Sequence, residues 1–476
     1  MTNDDYFKSD DFLALLKQYE KGEKAGNLAV LGSDEYADLA EYYQQNGQNE
    51  KALHLAMMGA DLYPGAIGPL VFRARYALCV ENDPKKASSL AAQIEDKQDF
   101  DYFYIIAEIM IAKGKALEAD AFLDGKMDEI DDEELIDYIY DVAVLFADYD
   151  EAALAEKWLN RYEDKDDPEY LELLGRIFFG KGKYSEGEKI MNHLIDTDPF
   201  NSIYWNTLAS AQFQYGMLQE SIDSSEFSIA INPSDVNAIL TKANGLFALG
   251  NHKEALKFYR RYNELRESDE SHTLMAICLM TQNQYKRALK HLEKALAMTP
   301  PRSHKLLEIY QELAFAENQL GHLDKALAYI DMTDALPCDH EEMLVLRGHL
   351  CLMAVKTEEA YEYFNRAIQQ TQQPLKILLH IAASAYDNGF TSLSFKMLKH
   401  LKDYPIEDTI DGYSYFAMYF FSEYDRPNFL ESLRKAALLN PIEAKNICGE
   451  LFPEDMPPQE YYDYAQKFLL LNPPPE

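Results

Sequence analysis

Cysteine is scarce in this chain, with five in 476 residues at Cys79, Cys278, Cys338, Cys351 and Cys448. An odd, scattered set in a long chain does not describe a disulfide framework, and a reducing cytoplasm is the expected compartment. Long apolar runs are missing too. No stretch of 18 apolar residues occurs, so no membrane span is expected. The opening residues MTNDDYFKSDDFLALLKQYE hold no basic n-region and do not read as a signal peptide. Basic charge is in deficit: 45 Lys and Arg stand against 81 Asp and Glu, a net charge of −36. Phosphate backbones repel such a chain, so nucleic-acid binding is not expected. The same sign argument disfavours anionic membrane surfaces. Catalytic signatures are also lacking. No GxxxxGK[ST], HExxH, GxSxG or Gly-rich dinucleotide fingerprint occurs, so neither an enzyme nor a cofactor is expected.

What the sequence does contain is a period. Gly182, Gly216 and Gly250 are spaced by 34 residues, as are Pro199 and Pro233, and Ala326 and Ala360; Gly321 and Gly389 are two periods apart. A fixed repeat of this length marks a solenoid, which offers a long curved binding surface in place of a deep catalytic cleft. Within the unit from Pro168, Leu171, Leu174, Gly175 and Phe178 form one apolar face, the pattern of a first amphipathic helix. Gly182, at offset 15, follows that helix where a left-handed C-cap is wanted. Gly187, at offset 20, lets a second helix approach closely, and Pro199, at offset 32, ends it. The units from Ser202 and Val236 repeat the pattern with Trp205, Leu208, Ala209, Gly216 and Pro233, then Ala243, Leu246, Gly250, Ala255 and Tyr259.

This pattern resembles the tetratricopeptide repeat family, whose repeat is 34 residues long. Units resembling it start near Ser33, Pro168, Ser202, Val236, Asp269, Leu307, Glu341, Leu375 and Ile410. About three more helix pairs fit poorly between Ile67 and Asp167, where the terminating prolines are mostly missing and the register is not fixed by sequence. The resemblance implies an all-α fold: a right-handed α-solenoid superhelix of roughly twelve helical hairpins. The expected organisation is an N-terminal capping helix and linker over 1–32, the repeat array over 33–441 with divergent repeats over 67–167, and C-terminal capping helices over 442–476. Gly22, Gly26 and Gly32 are expected to loosen the chain after the first helix.

In the family, offsets 2, 5, 9 and 12 of each first helix line the inner groove. Here offset 12 carries Phe179, Phe213, Phe247 and Met280, with Tyr386 further on, and the remaining offsets add Arg176, Asn206, Asn237 and Asn244. Two readings stand for the offset-12 residues, packing on a neighbouring helix or contact with a ligand. The amides favour contact, because they can both donate to and accept from a peptide backbone. The carboxylate clamp of some relatives is not matched, since Thr241, Glu270 and Leu274 stand beside Asn206 where cationic and amide groups are needed.

Charge is uneven along the chain. Residues 1–170 hold 39 acidic and 16 basic side chains, −23, whereas residues 240–306 hold 12 basic and 6 acidic, +6. Lys253, Lys257 and Arg261, then Lys286, Lys290 and Lys294, recur at helical spacing and form stripes. They read either as a solvated face or as a docking patch for an acidic surface, including the N-terminal third of a second copy. Two other clusters are weaker. Cys338, His340, His349 and Cys351 include zinc-ligand types, but His349 and Cys351 are two residues apart, about 200° around a helix. The run Asp128 to Glu134 lacks the spacing of a calcium loop and reads as a solvated acidic turn. The resulting expectation is a non-enzymatic interaction scaffold or adaptor that binds a protein or peptide in its concave groove. The alternatives are a regulatory peptide sensor and an accessory subunit of an enzyme complex.

Overall fold

The computed structural model describes residues 6–25, 31–301, 303–404, 411–453 and 456–469. Among the described residues the chain is helical with turns and contains no strand. The fold is an all-α solenoid of paired helices. The first five pairs are Ser33–Gln45 with Asn49–Leu62, Ile67–Cys79 with Pro84–Ala91, Phe100–Ala112 with Ala116–Asp124, Leu135–Asp148 with Ala152–Leu159, and Pro168–Gly180 with Tyr184–Thr197. Next come Ser202–Gln214 with Leu218–Ile231, Val236–Ala248 with His252–Leu265, Asp269–Met280 with Tyr285–Met298, and Lys305–Gln319 with Leu323–Met332. His340–Met353 with Thr357–Gln370, Pro374–Asp387 with Thr391–Leu401, and Tyr413–Ser422 with Arg426–Leu439 complete twelve hairpins.

One backbone feature builds every hairpin. The turn between its two helices holds a residue with positive φ. Gly182, Gly216 and Gly250 have φ of 74°, 76° and 82°, as the 34-residue spacing requires. The next N–H then reaches back to the first helix: Lys183 N donates to the Phe178 carbonyl at 2.8 Å and Met217 N to that of Gln212 at 2.9 Å. This satisfies carbonyls that a helix end leaves open. Where glycine is missing the geometry persists, at Asn82, Asp150, Asn283, Val355 and Tyr424. Asn82, Gly114 and Asp150 thereby fix the register of the three divergent hairpins between 67 and 167. Their second helices have 8, 9 and 8 residues, against 14 in the next three hairpins.

Several first helices start on side-chain caps. Asp99, Asp167, Asn201 and Asp235 accept from backbone N–H groups at the helix start, each such cap contributing about 1 kcal/mol. Small residues set the hairpin spacing. A Cβ on Gly187 would fall 2.7 Å from Phe179 Cε1, so glycine there lets the Phe179 ring wedge under the second helix. In the divergent stretch aromatic residues fill the core: Tyr138 and Trp158 are fully buried. Tyr138 OH donates to the Leu123 carbonyl at 2.9 Å and Trp158 Nε1 to Asp120 at 2.9 Å, so neither buried polar group is left unpaired.

The chain divides into two compact units. Unit 1 comprises 1–284 with 290–306, and unit 2 comprises 285–289 with 307–476. Unit 1 curls until its ends touch: the Gly47 turn of the first hairpin packs on the backbone of Glu267, just before the eighth. Ahead of the first hairpin, helix Asp10–Ala25 buries Phe12 and Tyr19 against Tyr42 and Tyr43. It runs through Gly22, which therefore does not loosen the chain as expected; Gly26 lies outside the described residues. In unit 2, helices Pro441–Cys448 and Tyr461–Phe468 follow the last hairpin. Arg426 donates to the Leu469 and Gln466 carbonyls at 2.6 and 2.7 Å, and Phe452 stacks on Tyr461 at 3.9 Å. The start of a unit expected near Ile410 lies outside the described residues. No described helix is long and apolar enough to cross a membrane.

Candidate functional site

Two adjoining hollows lie among the first helices of unit 1. One, of about 460 Å³, is lined by Glu172, Arg176, Phe179, Ile203, Asn206, Thr207, Ser210 and Asn237 among others. Counted from each unit's start, Glu172 and Asn206 are at offset 5, Arg176 and Ser210 at offset 9, and Ile203 and Asn237 at offset 2. The 34-residue period and the helical period thus bring one stripe from three successive hairpins into one hollow.

Polar groups in this hollow are tethered in part. Arg176 pairs with Asp148 of the preceding hairpin. Thr207 Oγ1 donates to Glu172 Oε1 at 3.0 Å. Burial pushes the Glu172 carboxyl above the usual carboxylate range, against the pull of Arg176. Asn206 Oδ1 is buried and has no hydrogen-bond partner, an arrangement that costs on the order of 1–3 kcal/mol while the group stays unpaired.

The other hollow, of about 510 Å³, is lined by Arg75, Tyr104, Glu108, Asp141, Val144, Leu145, Asp148 and Tyr149. Arg75 Nε donates to Glu108 at 3.0 Å, and a second guanidinium nitrogen lies 3.8 Å from Asp101. Tyr149 OH donates to Glu108 at 3.3 Å and Tyr104 OH to Asp141 at 3.1 Å. Burial raises the carboxyls of Glu108, Asp101 and Asp141, only partly opposed by Arg75 at the first two. This acidic and aromatic stretch belongs to hairpins whose register the sequence left open, so its residues could not be assigned to the groove. The non-glycine αL turns at Asn82 and Asp150 were the missing signal.

The offset-12 residues divide. Phe179 is 7% exposed, its ring packed on Gly187 and 5.7 Å from Tyr184, so only its edge borders the hollow. Met280 is buried, whereas Phe213 and Phe247 are half-buried, Phe247 lying 4.9 Å from the His252 ring. Asn244 is already engaged, accepting from Tyr259 OH at 2.7 Å, while Asn237 is exposed. Tyr386, in unit 2, is half-buried between Phe395 and Tyr415.

Of the basic stripe, Lys253, Lys257, Lys286, Lys290 and Lys294 are exposed and Arg261 is half-buried. Lys257 pairs with Glu254 at 2.6 Å, Lys294 lies 3.7 Å from Glu267, and Arg261 donates to the Pro233 carbonyl. The Cys and His cluster separates. Cys338 lies 3.9 Å from His340, His349 pairs with Ser384 at 3.1 Å, and Cys351 is buried in the core.

Parts of the chain are similar to known proteins. Residues 225–295 match the family model described as anaphase-promoting complex, cyclosome, subunit 3. No curated protein matches the sequence. Among solved structures, a tetratricopeptide repeat protein from Parabacteroides merdae is 18% identical, covering 52% of this chain and 98% of its own at a TM-score of 0.39. YrrB, described as a TPR protein with an unusual peptide-binding site, is 17% identical, covering 40% and 95% at a TM-score of 0.33. PilW, described as a type IV pilus biogenesis factor, is 16% identical, covering 44% and 98% at a TM-score of 0.38.

Proposed function

We propose that the chain is a tetratricopeptide-type repeat protein and, from that premise, a non-enzymatic scaffold that holds an extended segment of a partner protein in the groove of unit 1. Arrays of this kind act in protein–protein interaction. The observation that carries the finer reading is the hollow where Arg176, Asn206 and Asn237 meet Glu172 and Thr207, with the buried Asn206 Oδ1 lacking a partner. An extended peptide supplies N–H donors for such an acceptor. It also supplies carbonyls for the exposed Asn237 amide. The mechanism is pre-organisation. Stacked helices hold these side chains in place before the partner arrives, so little ordering entropy is spent on binding. The end helices, Asp10–Ala25 and those after Asn440, serve as caps on apolar repeat faces in this reading.

The test is selection of displayed random peptides on the wild-type chain, followed by binding of the selected peptides to the folded Asn206→Ala/Asn237→Ala variant. The expected outcome is enrichment of a shared peptide pattern whose binding falls at least tenfold in the variant. Selected peptides that bind the variant equally well place the interaction elsewhere.

A further inference from the structure

The groove of unit 1 is unbalanced in charge where it passes from the third to the fifth hairpin. Asp101, Glu108, Asp141, Asp148 and Glu172 face only two cations, Arg75 and Arg176. Arg75 pairs with Glu108 and Asp101, and Arg176 pairs with Asp148 while also drawing on Glu172 from farther off. Asp141 and Glu172 are left with neutral donors, Tyr104 OH at 3.1 Å and Thr207 Oγ1 at 3.0 Å. Neither forms an ion pair among the described residues. Burial disfavours the charged form of both carboxyls, a penalty that a cation seated beside them would relieve.

Two further observations point to a bound donor group. The Asn206 Oδ1 acceptor, beside Glu172 in the same hollow, is buried and unpartnered. The rings of Tyr104 and Tyr149 line the neighbouring hollow, and an aromatic face beside a carboxylate is a favourable seat for an alkylammonium or guanidinium group. Each hollow has the volume for a long side chain, at about 460 and 510 Å³.

Resting on the groove reading above, we propose that this stretch recognises its partner through lysine or arginine side chains, which seat beside Asp141 and Glu172. The partner segment is therefore basic, and an acidic or phosphorylated segment is excluded from the same seats by like-charge repulsion.

The test uses the full chain and two fluorescent twelve-residue peptides, four Gly-Ser-Lys repeats and four Gly-Ser-Glu repeats, followed by anisotropy at about 0.15 M salt, where exposed charges are screened beyond roughly 8 Å. The Lys peptide binds and the Glu peptide does not. Asp141→Asn with Glu172→Gln weakens the Lys peptide tenfold or more. Asp132→Asn with Glu133→Gln removes the same two charges from an exposed turn and leaves affinity within twofold. Glu172→Gln alone, expected to weaken binding severalfold, keeps the proposal testable should the double variant not fold. Equal losses in the groove and exposed-turn variants overturn the proposal, because net charge alone would then explain binding. Absence of Lys-peptide binding also overturns it. Preference for the Glu peptide overturns the charge assignment while leaving the groove reading intact, since that reading stands or falls on the Asn206 and Asn237 variant.

Discussion

Val355 is the turn residue of the tenth hairpin, and it holds a left-handed backbone with φ of 60°. That conformation costs an L-residue about 1–2 kcal/mol, and a β-branched side chain is a genuine outlier there. The turn keeps it because the bonds on either side are made: Val355 N donates to the Leu352 carbonyl at 2.9 Å and Lys356 N to that of Cys351 at 2.8 Å. The side chain itself is 77% exposed, so removing it forfeits little packing. Glycine occupies the same place in the flanking hairpins, as Gly321 and Gly389 with φ of 83° and 80°. Val355→Gly therefore relieves about 1–2 kcal/mol of strain and gives back roughly 0.4–1 kcal/mol through the freer unfolded chain, a net stabilisation of about 1 kcal/mol. Gly389→Val, the reverse change, is expected to cost about 1–2 kcal/mol. Repeats unfold as coupled neighbours, so amide exchange across 344–364 is the local readout and urea denaturation the global one. A neutral or destabilising Val355→Gly, together with a tolerated Gly389→Val, would refute the claim that αL turns set the repeat.

Other outcomes follow from the same structure. Burial, helped by Glu308, raises the Glu312 carboxyl from 4.5 to about 7, so the native state binds the extra proton and loses stability as pH rises from about 4.5 through 7. Glu312→Gln should thus stabilise by up to about 3 kcal/mol above pH 7, at 1.36 kcal/mol per tenfold, with the gain vanishing below pH 4.5 in paired thermal melts. Gly348→Ala places a Cβ 2.6 Å from Phe364 Cδ1 and 2.8 Å from its Cζ; it should cost about 1–3 kcal/mol by overpacking, and a neutral urea midpoint would show that the hairpin can spread. Reversing Lys253, Lys257, Lys290 and Lys294 to Glu should slow association with an acidic partner and flatten its salt dependence; indifference of on-rate and self-association to the reversal reduces the stripe to a solvated face.

The solenoid was legible because glycine at offset 15 is both a sequence mark and a conformational need. Gly182, Gly216 and Gly250 declare the turn in letters as well as in φ. Where Asp150 or Tyr424 adopts the same conformation, the letter is silent, because a side chain tolerates αL only when neighbouring helices over-determine the turn. That is why the hairpins at 67–167 had no readable register and why the acidic residues Glu108 and Asp141 were not singled out; Glu172, at offset 5 of the readable unit from Pro168, was passed over for the amides at neighbouring offsets. Arg176, Asn206 and Asn237 were placed at the groove from offsets alone, and they do line one hollow. Phe179 shares the offset of Phe213 but not its exposure, because only its own hairpin has glycine at position 187 to admit the ring. Neither the offset nor the residue type encodes that distinction. It depends on a partner helix one turn away.

The central claim is that the inner groove of unit 1 is where a partner chain lies. A photo-crosslinking residue placed at Ile203, half-exposed in the groove, and separately at Lys189, exposed on the second helix of the fifth hairpin, tests it most directly with a selected peptide or captured partner. The account predicts adducts from Ile203, lost on competition with unlabelled peptide, and none from Lys189. Adducts from Lys189 alone, or equally from both positions, would contradict it.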